Sequence, residues 1–205
     1  MSARKKSKID KAKQQQKIIH SAIKIFSKKG YTKTTIEEIA KNAKIAKGLV
    51  YYYFKTKEEI YLESLNSIRS QMKAYVDKYT EKEQNAFEKI RVRTKKILEF
   101  FSNKQDLFIV FAYQDQVKKL SEKQKKKAIE NFFKQISELT DYFKIAKEEK
   151  LIISNADPES LSLMLFAQVN IFMSYAILKK QKMDPEKIFK QIDKYFLQSL
   201  KSTGK

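Results

Sequence analysis

The sequence has no cysteine, which excludes a disulfide scaffold, a thiolate metal site and a cysteine nucleophile. Its single histidine, His20, excludes a metal centre built on several imidazoles, and no metal site is expected. Only 3 glycines and 2 prolines occur in 205 residues, so little of the chain suits tight turns and helices are favoured. No run of about 18 uncharged apolar residues stands out as a transmembrane helix. The basic opening Met-Ser-Ala-Arg-Lys-Lys-Ser-Lys is not followed by an apolar stretch of signal-peptide type. A soluble cytoplasmic protein without a membrane partner is the expectation.

What is present is charge and aliphatic bulk. Hydrophobic residues make up 42% of the chain, enough for a sizeable core in one or two domains. The formal net charge is +20, which points to nucleic acid or an anionic membrane as partner. That charge is uneven. Residues 1–57 hold 16 Lys and Arg against 3 Asp and Glu, whereas the remainder holds 28 against 21. A small anion-binding N-terminal unit joined to a larger body explains the split better than a uniformly basic surface. Lysine supplies 40 of the 44 basic side chains, which reflects genome composition more than recognition chemistry.

Apolar residues recur at helical spacing nearly everywhere, and strand-like alternation is never sustained. The fold class is therefore all-α, with about nine helices. The first spans about Asp10 to Lys29 and carries Ile19, Ile23 and Phe26 on one face, with Gly30 as a left-handed C-cap. His20 lies one step off that stripe and is expected at the surface. The second helix starts at Thr34 or Thr35. Both fit a capping box, Thr34 with Glu37 and Thr35 with Glu38. A turn follows Asn42, and residues 46–54 form a third helix with Val50 and Phe54 on its inner face. Thr56 caps a long helix from Lys57 to about Tyr79. Further helices fall near 84–102, 105–118, 122–150, 158–180 and 185–201. The last two open on Asp157-Pro158-Glu159 and Asp184-Pro185-Glu186, with Asp as N-cap and Pro at the first turn. The domain organisation expected is a disordered basic arm at 1–9, a DNA-binding domain at 10–56 and a body at 57–201.

Two short helices joined by a tight turn in the most basic part of the chain describe a helix-turn-helix. The second would enter the major groove. Gly48 inside it costs about 1 kcal/mol relative to Ala, a cost that close approach of backbone to DNA would explain. Tyr51 and Tyr52 lie opposite Val50 and Phe54, where hydroxyls can reach phosphates and rings can touch sugars and thymine methyls. From the residues alone, a sequence-indifferent basic DNA-binding protein and a membrane-surface protein remain as alternatives. An enzyme does not: no catalytic constellation or glycine-rich phosphate loop is present.

The string Gly30-Tyr31, Thr34-Thr35-Ile36-Glu37-Glu38-Ile39-Ala40, Ala46-Lys47-Gly48-Leu49-Val50-Tyr51-Tyr52-Tyr53-Phe54 and Lys57-Glu58-Glu59-Ile60 closely resembles the N-terminal domain of TetR-type transcriptional repressors. The resemblance runs from about residue 12 to 65, and the TetR-type region extends to about 70. It implies a phosphate contact from Thr34 or Thr35, backbone and base contacts from Lys47, Gly48, Tyr51 and Tyr52, and a phosphate contact from Lys57. It implies no cofactor. Three positions depart from the family pattern. Lys44 stands where a turn glycine is common, and is tolerable if the turn needs no positive φ. Ala46 replaces a capping Ser or Thr. Leu49 replaces a small polar residue and offers only apolar contact. All three are included in the expected DNA-binding set.

The resemblance also implies a body that encloses an inducer pocket. Aromatic richness favours a small hydrophobic inducer, with Phe101, Phe108, Phe111, Gln114, Phe133, Gln168, Asn170 and Ser174 as candidate lining. The last two helices carry wide apolar stripes. Leu161, Leu165 and Phe172 on one, with Ile188, Ile192, Tyr195 and Phe196 on the other, would form a four-helix homodimer interface, unless those stripes only cover their own chain. The function expected is that of a ligand-responsive repressor on a palindromic operator.

Overall fold

The computed structural model describes residues 3–112, 121–153 and 155–202. Among them nine α-helices follow one another: α1 Ala3–Lys33, α2 Ile36–Ala43, α3 Lys47–Tyr53, α4 Lys57–Thr80, α5 Ala86–Ser102, α6 Gln105–Ala112, α7 Glu122–Glu148, α8 Pro158–Leu178 and α9 Pro185–Ile192. A π-helical turn, Asp193–Leu197, and a 3-10 turn, Gln198–Leu200, complete the path. No strand occurs among the described residues; one isolated bridge pairs Ile152 with Lys201.

Local signals set most boundaries. Asn85, Asp157 and Asp184 each accept the backbone N–H three residues on, at 2.9, 2.8 and 3.0 Å. Both prolines sit in the first turn of a helix, where their missing N–H is no loss. α1 begins at Ala3 rather than at Asp10. It breaks at Gly30, whose φ of 72° and ψ of 165° lie in a positive-φ region open to glycine but outside the left-handed helical one. The last helix is interrupted: beyond Ile192 the backbone widens into the π turn, where Asp193 receives Arg91 through two bonds of 2.7 and 2.9 Å.

The described chain forms two compact units. The first comprises Met1–Ser70 and Asp106–Lys126, the second Gln71–Gln105 and Lys127–Lys205. In the first, α1 packs on α2 and α2 on α3. Ile18, Ile19, Ala22, Ile23 and Phe26 of α1, Ile36, Ile39, Ala40 and Ala43 of α2, and Val50 and Phe54 are all buried. α3 has only seven residues and no side-chain cap, so it is marginal alone. Burying Val50 and Phe54, at about 1.5–3 kcal/mol each, holds it in place.

In the second unit α5 packs on α8 and α9. α7 meets α8 through the Thr140 hydroxyl, which donates to Ser162 at 3.1 Å, and through an edge-on pair of Phe132 and Phe166. The buried face of α8 is Leu161, Leu165, Val169, Met173 and Ala176.

That face corrects two expectations. Leu165 is 2% exposed and Ile192 1%, and Leu161 is likewise buried, so these three belong to the chain's own core and not to a partner-facing surface. The uncovered face of α8 is instead Leu163, Met164, Ile171, Phe172, Tyr175 and Leu178, joined on the last segment by Tyr195; Ile188 and Phe196 are half-buried. α8 is apolar around its whole circumference, so its periodicity cannot say which side faces in. For the same reason α8 is long and apolar enough to cross a membrane by length and composition, contrary to the sequence expectation.

Candidate nucleic-acid interface

The segment from Thr34 to Lys57 shows how each side chain of the expected DNA-binding set is placed. Thr35, not Thr34, is the N-cap of α2. Its hydroxyl accepts the Glu38 N–H at 3.2 Å, and Glu38 accepts the Thr35 N–H at 3.1 Å, a complete capping box. Thr34 is 1% exposed, and its hydroxyl donates to the Gly30 carbonyl at 2.7 Å. The inward turn of Thr34 leaves Thr35 alone at the surface of that helix start.

Lys44 ends α2 in the left-handed region, φ 52° and ψ 50°, with its N–H directed at the Ala40 and Lys41 carbonyls. The turn therefore does require the positive φ that a glycine would supply freely. A non-glycine residue there costs about 1–2 kcal/mol, partly offset by the chain entropy a glycine would lose. Lys44→Gly is expected to stabilise the protein by about 0.5–1 kcal/mol, raising the thermal midpoint by roughly 2 °C. An unchanged or lower midpoint would show that the turn carries no strain.

Ala46 precedes α3 with extended backbone and makes no side-chain cap. Lys47, Gly48, Tyr51 and Tyr52 are exposed, Tyr52 at 66%, while Leu49 is half-buried and Val50 wholly buried. The Tyr52 ring braces edge-on against Tyr53 at 5.0 Å. The Lys47 ammonium lies 5.7 Å from the Tyr51 ring and pairs with the Glu37 carboxylate across the turn. That pair holds Glu37 below the usual carboxylate range and raises Lys47 above the ordinary lysine value. A parallel pair joins Lys29 to Glu38. The sequence pattern offers Glu37 only as a capping partner for Thr34, not as a partner for Lys47. It lies ten positions before Lys47, and only the turn brings the two together.

Gly48 is the informative position. Its φ is not positive, and a Cβ built on it would meet no atom within 4 Å. Nothing inside the chain therefore requires glycine there. Gly48→Ala is expected to stabilise the DNA-free protein by about 1 kcal/mol. The same methyl, wedged into a close contact with DNA, should weaken the complex by about 1–3 kcal/mol. Thermal unfolding and duplex titration read the two signs separately; equal DNA affinity in the variant would remove the case for close approach.

Lys57 is placed differently from the others. Its ammonium donates to the Tyr31 and Thr34 carbonyls at 3.0 and 2.9 Å and sits 4.5 Å from the Tyr31 ring centroid. It closes the end of α1 onto the start of α4, a scaffold role that commits its donors. Phe26, Tyr31 and Tyr61 form a ring cluster beside it, with centroids 5.1 to 5.8 Å apart. With Ser27, Gly30, Ile109 and Val110 they line a cavity of about 240 Å³.

Of the candidate ligand residues, Phe108 and Phe111 are buried in the first unit and Phe101 in the second. Phe133 is 61% exposed, so it lines no enclosed cavity in the single chain. Gln168, Asn170 and Ser174 are half-buried, and Asn170 donates to the Phe166 carbonyl on its own helix at 2.8 Å. Gln114 lies outside the described residues. His20 is exposed.

Comparison with known proteins agrees with this geometry. Residues 18–63 match the family described as bacterial regulatory proteins, tetR family. The chain is 47% identical over 51 residues to the biofilm operon negative transcriptional regulator IcaR of Staphylococcus epidermidis, a match covering 25% of this chain and 28% of that protein. Matches to such curated relatives thus span far less than two thirds of their length, 17% in one case. Solved structures extend the likeness to the whole fold. The fatty acid degradation regulator FadR of Bacillus halodurans superimposes with a TM-score of 0.80 at 18% identity, over 89% of this chain and 94% of that one. FadR of Bacillus subtilis in complex with stearoyl-CoA gives 0.78 at 20% identity, over 93% and 99%. The N-terminal helix-turn-helix segment is thus similar to the DNA-binding part of transcriptional regulators, and the all-helical fold is similar to that of these solved regulators. The family match is confined to the N-terminal segment, residues 18–63.

Proposed function

We propose that the protein is a homodimeric repressor that binds a near-palindromic operator and leaves it when a small hydrophobic ligand binds. Residues 10–56 are its DNA-binding domain, and residues 57–201 hold the ligand and the partner subunit, in the cytoplasm. The observation that carries this reading is the exposed face Lys47-Gly48-Tyr51-Tyr52. A glycine without internal purpose and two outward aromatics are poor choices for a free surface and good ones for a groove. Thr35, Lys44, Ala46 and Leu49 flank that face. Thr34 and Lys57 support it from behind, through the end of α1.

The uncovered apolar face of α8, with Tyr195, supports a two-fold interface that places two copies of α3 on one face of a duplex. The ligand reading is supported by the fold likeness to a regulator solved with stearoyl-CoA and by the aromatic content of the body. α4 begins beside the DNA-binding helices and continues for 24 residues, so it is the natural lever. A coupling of about 1–3 kcal/mol between ligand and DNA suffices to switch occupancy.

The test is selection of bound sequences from random duplexes by the purified full chain. An inverted repeat with half-sites about one turn, ~34 Å, apart or a multiple of it is the expected result. Recovery of duplexes without a shared sequence would overturn the reading in favour of indifferent binding.

A further inference from the structure

Arginine is rare here, 4 residues against 40 lysines. Arg91 shows its ordinary use, a fork onto Asp193 with a further bond of 2.8 Å to Glu88. Arg69, on α4 in the first unit, is different. No carboxylate pairs with it among the described residues. Its Nη1 makes one long bond, 3.5 Å, to Asn66 Oδ1, and its Nε is buried without any partner. Asn66 in turn donates to Glu63 Oε1 at 3.3 Å, so the nearby carboxylate is engaged by the amide instead. The guanidinium carbon lies 5.7 Å from the Phe111 ring. Burial disfavours its charged form, and the nearby Tyr61 phenol only partly opposes that.

A sheltered guanidinium short of acceptors is a cost to folding. A leucine or methionine would fill the same space without it. The arrangement makes sense if an anion arrives after folding. We propose that Arg69 receives the negatively charged head group of the regulatory ligand, which is therefore an amphipathic anion: a carboxylate or phosphate joined to an apolar tail. This rests on the ligand-responsive reading above. The planar fork matches two oxygens at once, which carboxylate and phosphate supply and an alcohol does not. The buried Phe111 ring 5.7 Å from the guanidinium makes the surroundings apolar, and Tyr61, whose phenol interacts with Arg69, lines a cavity of the same unit.

The experiment uses the full chain with decanoate, palmitate, decanoyl-CoA and palmitoyl-CoA as anionic probes and 1-decanol as the neutral one. Binding is measured by calorimetry on the wild type, Arg69→Met and Arg69→Gln, the second variant serving if the first does not fold. Operator affinity of each protein without probe is measured first. At least one anion is expected to bind the wild type tenfold or more tighter than 1-decanol. The fatty-acid and CoA arms tell carboxylate from phosphate. The neutral variants should lose that tenfold preference, keep their affinity for 1-decanol, and melt at or above the wild-type midpoint when ligand-free. Equal anion affinity in wild type and variants, equal affinity for 1-decanol, or no binding of any anion to a wild type that binds operator would overturn the inference. Absence of operator binding itself would instead overturn the repressor reading.

Discussion

Raising salt from about 50 to about 200 mM is expected to weaken operator binding about 10³-fold. The exposed cations and hydroxyls of the Thr35–Tyr52 surface occur twice in a dimer, so roughly six phosphate contacts are a modest count. Each contact releases a counterion, and the affinity then falls with a log–log slope of about −0.9 per contact. A fourfold change in salt is about 0.6 of a decade, so six contacts give roughly three decades of affinity. Lys47 adds a local detail. It is already paired with Glu37, so a phosphate must displace a carboxylate that then stays near the DNA. Titration of a labelled operator at several salt concentrations checks the slope. A nearly flat response would mean that few phosphates are contacted and that the basic N-terminal unit has another partner.

The second large effect concerns α8. Ile171→Asp is expected to leave the protomer folded, because Ile171 is 66% exposed in the single chain. In the dimer proposed here the same position becomes covered, and each copy would bury an unpaired carboxylate. Two such charges at several kcal/mol each should raise the dimer dissociation constant by 10³ or more. Sedimentation should then show monomers, and operator binding should fall with dimerisation, since one half-site alone holds weakly. A control substitution, Leu165→Ala, should instead destabilise the protomer by about 2–5 kcal/mol, because that side chain is in the core. If Ile171→Asp sedimented as the wild type does, the interface would lie elsewhere. The exposed apolar face ending at Tyr175 and Leu178 would then need another cover.

Helix positions were legible where the deciding information is local. The Asp-Pro-Glu starts of α8 and α9, the Thr35–Glu38 box and the capping of α4 by Thr56 all act within four residues, and each is realised by a hydrogen bond. Other features at the candidate interface needed longer reach. Thr34 and Thr35 fit the capping box equally well on paper. The chain reversal at Gly30 decides between them by offering Thr34 a carbonyl to bond. Lys44 reads as an ordinary exposed lysine until the turn angle is known. Lys57 reads as a phosphate ligand until the carbonyls at the end of α1 are seen around its ammonium.

The all-helical class, the helix-turn-helix and its outward Tyr51-Tyr52 pair follow from the order of residues alone, because periodicity, caps and charge are near-neighbour properties. Three-dimensional packing alone settles which side of α8 stays uncovered, which carboxylate holds Lys47, and that Arg69 finds none among the described residues. Those outcomes depend on contacts between residues far apart in the chain. A helix apolar on every side, or a cation free to choose among several acceptors, carries no local mark of which contact it will make.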